Sequence, residues 1–199
     1  MDVPLLRVGV TISLTGVTDG GEARPAMLCA QWGSYRNNRG MQLTSRHDFP
    51  APPADVFAML TDEAFLRHAA TEMGSPDARV AASASRTAVE ATIEAPDVVR
   101  AFVGATLRVL LEVDWGAARP GGTRAGTFTM TVPGTPVTVA GTTLLAPTAS
   151  GTEVTYDGEL TVRLPLVGAR VEREAAPAIL EALEDQARIG RAWLARPAG

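Results

Sequence analysis

The chain has no lysine; all 18 of its basic residues are arginine. A Schiff base or a lysine nucleophile is therefore excluded. Cysteine is almost as scarce, with Cys29 alone. Neither an internal disulfide framework nor a cysteine-based zinc site can form. The two histidines, His47 and His68, do not have metal-ligand spacing, so no metal and no cofactor are expected. Positive charge is in deficit, with a net charge of −4 and a pI of about 5.2. Phosphate neutralisation needs a basic face, so a nucleic-acid partner is not expected, and neither is a polybasic membrane contact. No apolar run approaches the ~20 residues of a membrane span, so no integral membrane association is expected. Asp2 and Arg7 precede only short apolar stretches broken by Thr and Gly, unlike a secretory signal. A cytoplasmic protein is the expectation. Gly-x-Ser-x-Gly and Walker-type loops are also missing.

What is present suits one domain with an extension. A chain of 199 residues with 46% hydrophobic and 20% charged residues can build a sizeable core without staples. Residues 1–40 differ from the rest. Leu5 to Val17 alternates like a strand, but Asp19-Gly20-Gly21 and Ser34 to Gly40 have loop composition. This stretch is read as a poorly structured N-terminal extension or as sequence upstream of a true start at Met41, with the second preferred. The domain is expected to cover residues 41–196.

From Met41 the pattern is regular. Leu43 to Phe49 predicts a strand. Pro52-Pro53 suits the first turn of a helix, and Val56, Phe57 and Leu60 give it one apolar face. Thr61 is the expected N-cap of a second helix, with Asp62 and Glu63 in its first turn. Phe65, Ala69 and Met73 form its apolar side, and Gly74 to Pro76 end it.

Alternating segments follow. Thr87, Val89, Ala91, Ile93 and Ala95 share one face. Leu107, Val109, Leu111, Val113 and Trp115 share the next. Phe128, Met130 and Val132, then Val137, Val139 and Leu145, then Tyr156, Leu160, Val162 and Leu164 complete the series. Ala78 to Ser85 is a weaker strand. Repeated period-two alternation means an antiparallel sheet with one wet face. Gly121-Gly122, Pro133-Gly134 and Ser150-Gly151 supply turns. The period then changes. Ala176, Leu180, Leu183, Ala187, Gly190 and Leu194 recur at helical spacing between about Gly168 and Ala195. Glu184 and Arg188 are expected to pair at i, i+4. Pro177 is expected to kink this helix or split off its first turns.

The order strand, two short helices, about six strands, long helix resembles the START-like superfamily (SRPBCC, birch-pollen-allergen-like). The string Phe49-Pro-Ala-Pro-Pro-Ala-Asp-Val-Phe-Ala-Met-Leu-Thr-Asp62 carries the resemblance, with Arg188 to Leu194 and its Trp193. Within the superfamily the chain most resembles an uncharacterised actinobacterial group. The resemblance implies an α+β helix-grip fold: a curved antiparallel sheet of six to seven strands around a long C-terminal helix, with a cavity between them. It implies no particular chemistry, because the fold hosts unrelated activities.

The expected function is binding of a small hydrophobic or amphipathic molecule (a lipid, a polyketide or similar) in that cavity. Small residues on the helix face, Ala176, Ala187 and Gly190, would leave space there, and such pockets span ~300–1,000 Å³. The expected lining is Leu111, Trp115, Phe128, Met130, Tyr156, Leu180 and Leu183. Phe102, in the apolar insertion Pro96 to Gly104, is read as a lid or as an edge cover. Two other readings stand beside this one. A cyclase or dehydratase would use the same cavity, with His47 or Tyr156 moving a proton. An interaction module would have a packed interior and no ligand. His47 shares a strand face with Leu43, Ser45 and Phe49, so it either shuttles protons or is an ordinary interior histidine. His68 is expected to be solvated. Glu90, Glu94, Glu112 and Asp114 are assigned to the wet face, balanced by Arg86 and Arg108 as cross-strand pairs.

Overall fold

A computed structural model describes residues 40–95, 100 and 104–196. Two units are distinguished, Met1–Asn37 and Asn38–Gly199; the Leu5 to Val17 segment and Phe102 lie outside the described residues. Seven strands form one antiparallel sheet in the order β1-β7-β6-β5-β4-β3-β2. They are β1 Met41–Phe49, β2 Arg79–Ala82, β3 Arg86–Glu94, β4 Thr106–Trp115, β5 Arg124–Thr131, β6 Val137–Thr148 and β7 Gly151–Val162. Among the described residues the sheet is accompanied by the helices α1 Pro53–Leu60, α2 Glu63–Glu72 and α3 Gly168–Leu194. The arrangement is α+β and helix-grip.

Each element follows from local chemistry. Pro53 opens α1 at a position whose N–H would have no helical partner. The cap of α2 differs from expectation. Thr61 instead ends α1, its hydroxyl donating to Phe57 O at 2.9 Å, and Asp62 is the N-cap, accepting from Ala64 N at 2.8 Å. A carboxylate there gains the helix dipole as well as the hydrogen bond, which a threonine hydroxyl does not. Gly134, at φ +80°, turns β5 into β6 in a conformation that side chains disfavour. Pro177 does not split α3, which runs unbroken through it. Its ring is exposed, as is Arg173, so the carbonyl that loses its partner can bond water.

Packing fixes the frame. Val56, Met59, Leu60, Phe65, Leu66 and Ala69 from the short helices join Phe49, Trp115, Leu145, Val154, Ala187 and Ile189 in one core cluster. A second cluster holds Leu43, Val139, Leu160, Val162, Val171 and Ala176. Each fully buried large side chain contributes ~1.5–3 kcal/mol over an exposed one. The convex face is wet: Arg86 meets Glu112 at 2.5 Å and Asp114 at 3.5 Å, and Arg108 meets Glu90 at 3.5 Å. Glu94, expected on the same wet face, borders a hollow at the sheet edge; each exposed pair adds at most ~1 kcal/mol. Ile93 departs from its expected interior place and is 41% exposed. The pairing of β2 with β3 stops at Glu90, so among the described residues no strand covers that edge beside it.

Candidate functional site

The site begins with the alternation of β1. Leu43, Ser45, His47 and Phe49 point to the concave side, while Gln42, Thr44, Arg46 and Asp48 are exposed. β7 lies beside β1 in a register that sets Ser45 opposite Tyr156 and His47 opposite Val154. On the other side of β7, Tyr156 faces Thr143 of β6. A transverse row of hydroxyls thus crosses the concave face. α3 packs against β1 and β7, with no comparable packing on β3, β4 or β5 among the described residues. Gly190 permits the close approach: a Cβ there would stand 3.0 Å from both Met59 Cε and Phe49 Cε1.

His47 is buried at 3% exposure. Its Nε2 lies 2.8 Å from Ser45 Oγ, and its Nδ1 lies 3.2 Å from Glu184 Oε2 on α3. The Nδ1 contact is an ion-pair distance without the alignment of a good hydrogen bond, since the same atom is otherwise unpaired. Burial lowers the imidazole pKa below its usual 6.5, opposed by the Glu184 carboxylate and reinforced by Arg191. Glu184 is itself held below the ordinary carboxylate range, chiefly by its hydrogen bond from Arg191 at 2.7 Å. Neutral His47 beside ionised Glu184 favours the proton on Nδ1, which leaves Nε2 to accept from the Ser45 hydroxyl.

Glu184 does not pair with Arg188 as the i, i+4 spacing suggests. Arg188 bonds Asp185 at 3.0 Å, and Arg191 takes Glu184 while also donating to Asp48 O at 3.4 Å. The tertiary contact with β1 outweighs a surface helix pair of ~0.5 kcal/mol.

Tyr156 combines two properties. Its side chain keeps partial exposure, yet desolvation pushes its phenol up to about 12. A group deep among protein atoms but still touched by solvent lines a cleft. Its ring meets His47 at 6.1 Å and Phe128 edge-on at 5.8 Å. Leu111, Phe128, Met130, Leu180 and Leu183 are likewise half-buried. Phe128, Met130 and Leu180 pack on the second core cluster, and Leu111 faces Val89 and Met130 across its neighbours. Trp115 is different. It is 7% exposed and closed in by Phe57, ring to ring at 5.8 Å, so it belongs to the core. His68 keeps partial exposure, with its Nε2 3.0 Å from Arg196, and its ring lies against Trp193 at 5.5 Å.

The cavity expected between sheet and helix is much smaller than foreseen. A hollow of about 10 Å³ lies there, lined by His47, Phe49, Leu60, Tyr156, Leu183, Gln186 and Ala187. That is about the space of a single water. A hollow of about 640 Å³ lies instead at the sheet edge, between Met73 to Ala78 and Thr92 to Glu94 with Thr106. It carries neither the imidazole nor the tyrosine.

Sequence reasoning found His47 and Tyr156 but missed Ser45, Glu184, Gln186 and Thr143 as their companions. Ser45 had a signal, two residues before His47 on the same strand face. Glu184 had none, because nothing local ties a helix residue to a distant strand.

Residues 44–194 match the model of a family described as "Protein of unknown function (DUF2505)". No curated protein matches the chain. Several solved structures resemble it. One is TTHA0849 from Thermus thermophilus, with 19% identity, 77% of this chain and 99% of that one covered, and a TM-score of 0.54. A protein from Rhizobium leguminosarum has 16% identity, 79% and 95% coverage and a TM-score of 0.51. Ara h 8.0201 has 12% identity, 76% and 98% coverage and a TM-score of 0.50. At these identities the likeness is one of fold.

Proposed function

For this chain, which belongs to the DUF2505 family of proteins of unknown function, we propose binding of a small hydrophobic or amphipathic molecule on the concave face of the sheet. One observation carries the reading: Leu111, Phe128, Met130, Tyr156, Leu180 and Leu183 are large, inward-facing and only half-buried. A core would bury such side chains, whereas a ligand surface leaves them accessible. The fold shared with Ara h 8.0201 supports the same reading, because a curved sheet beside a long helix offers a concave face to a ligand. The water-sized hollow favours the apolar strip along β4 and β5 for the chain of the ligand, since among the described residues α3 packs chiefly on β1 and β7.

N-phenylnaphthylamine, an uncharged dye that brightens in apolar sites, tests this. The full chain is expected to bind it saturably, and Leu111→Asp or Met130→Asp to lose most of that binding while keeping the wild-type circular dichroism. Absent dye binding, or binding indifferent to both substitutions, would overturn the proposal.

A second reading draws on His47, which is bracketed by Ser45 at 2.8 Å and Glu184 at 3.2 Å. An oriented neutral imidazole is a competent general base, so the same face can support a cyclase or dehydratase reaction. Dehydration of an aryl β-hydroxyketone by the wild type, lost in His47→Asn, would favour it; equal rates in the two would remove it.

A further inference from the structure

Resting on the ligand-binding reading, we infer that the hollow between β1, β7 and α3 receives one uncharged oxygen of the ligand, a hydroxyl or a ketone, and refuses an ionised carboxylate or phosphate end. Size is the first argument. A hollow of about 10 Å³ admits one oxygen-sized group, and a carboxylate or a phosphate is larger. The lining is the second. Tyr156 and Gln186 border it beside His47, against Phe49, Leu60, Leu183 and Ala187. A phenol held protonated donates a hydrogen bond, and the glutamine amide both donates and accepts. A ketone needs only the donors, and a hydroxyl can use an acceptor as well.

Charge is the third argument. The imidazole beside the hollow is neutral, and the charge behind it is the Glu184 carboxylate. Arg191 spans Glu184 and Asp48 O. Arg124, on the concave side of β5, donates to Gly116 O at 3.1 Å and lies 3.8 Å over the Phe57 ring. Arg191 and Arg124 are therefore committed elsewhere, and no arginine is among the residues lining the hollow. An anion in the hollow would lose its hydration without gaining a cation, which is the costly case. The path from hollow to apolar strip is continuous, because the Tyr156 ring touches both His47 and Phe128. Ser45, bonded to Nε2, acts by holding the imidazole in place.

Displacement of N-phenylnaphthylamine from the full chain at neutral pH tests the inference, with dodecanol, tridecanone, dodecanoate and dodecane as competitors. Dodecanol and tridecanone are expected to compete about tenfold or more better than dodecanoate, the scale of one unpaired buried polar group, and better than dodecane. Tyr156→Phe should erase most of the margin over dodecane, read as the ratio of the two competitors within the same variant. Gln186→Leu supplies the same readout should Tyr156→Phe fold poorly. Dodecanoate competing as well as dodecanol, or dodecane matching both, would overturn the inference and leave the dye-binding surface standing. Failure of the dye itself to bind would instead remove the ligand-binding reading, and this inference with it.

Discussion

Nδ1 of His47 stands 3.2 Å from Oε2 of Glu184, joining the first strand of the sheet to its last helix through one titratable pair. Burial is the dominant influence and lowers the His47 pKa below 6.5. Between the folded value and 6.5 the unfolded chain binds more protons than the folded one, so stability rises with pH in that window. Glu184, also lowered from its reference of 4.5, adds stability above that value that is lost as pH falls through its folded pKa. Both therefore act in one direction. The urea midpoint is expected to fall on acidification from neutral pH towards about 5, the His47 window coming first. In His47→Phe the part of the slope near 6.5 should flatten. An unchanged slope would show that His47 is not the group responsible.

The Glu184→Gln variant separates the two influences on the imidazole. The carboxylate opposes desolvation, whereas Arg191 reinforces it. Removing the carboxylate should therefore lower the His47 pKa further. Titration of the His47 ring carbon-bound proton by NMR reads this directly. A rise in the variant would mean that the carboxylate does not act on His47.

Much of this geometry was legible in the residues, for identifiable reasons. Period-two alternation placed Leu111, Phe128, Met130 and Tyr156 on the concave face because the pleat leaves no alternative once one face is wet. Leu180 and Leu183 followed from the helical period of α3. The misses share a cause. Thr61 and Asp62 are adjacent and both can cap, and the helix dipole decides between them. Glu184 had a local partner in Arg188 and a distant one in His47, and local spacing ranks only the first. Ile93 continued a good pattern, but its burial depended on how far β2 extends, which no local pattern sets. The size of the hollow depended on the fit of α3 against β1, through Gly190, Phe49 and Met59.

Glu172 offers a test of the frame independent of any ligand. It is 6% exposed, and its Oε1 accepts from Val162 N at 2.8 Å, closing the end of β7 against the first turns of α3. Glu172→Ala leaves that buried amide unpaired and should cost ~1–3 kcal/mol. Glu172→Gln keeps an acceptor and should recover part of the loss. Urea unfolding measures both; an alanine variant as stable as the parent would show that the amide finds another partner.

Residues 1–37 form the first of the two units, and the second begins at Asn38. The family match starts at residue 44. Removing residues 1–37 is therefore expected to shift the Tm of the remainder by less than about 3 °C, the equivalent of ~1 kcal/mol at this size. Cutting to Met41 should cost more, because Gly40 N donates to Glu159 Oε1 at 2.8 Å. A large loss from the shorter deletion would assign residues 1–37 a structural part in the domain.

Gly158 connects the frame to the ligand surface. It lies on the concave face of β7 opposite Gly141 and Leu43. A Cβ at this position would stand 2.7 Å from Phe128 Cζ and 3.2 Å from Ala140 O. The ring of Phe128 therefore occupies the space that a side chain on Gly158 would need, and it reaches Tyr156 from there. Gly158→Ala must displace Phe128, and overpacking of this kind costs ~1–3 kcal/mol. Phe128→Leu is expected to relieve the clash, so the double variant should lose less stability than the sum of the single ones. The displaced ring would also break its contact with Tyr156, so Gly158→Ala should weaken dye binding more than its loss of stability alone explains. Additive stabilities together with unchanged dye affinity would show that Phe128 does not rest against Gly158.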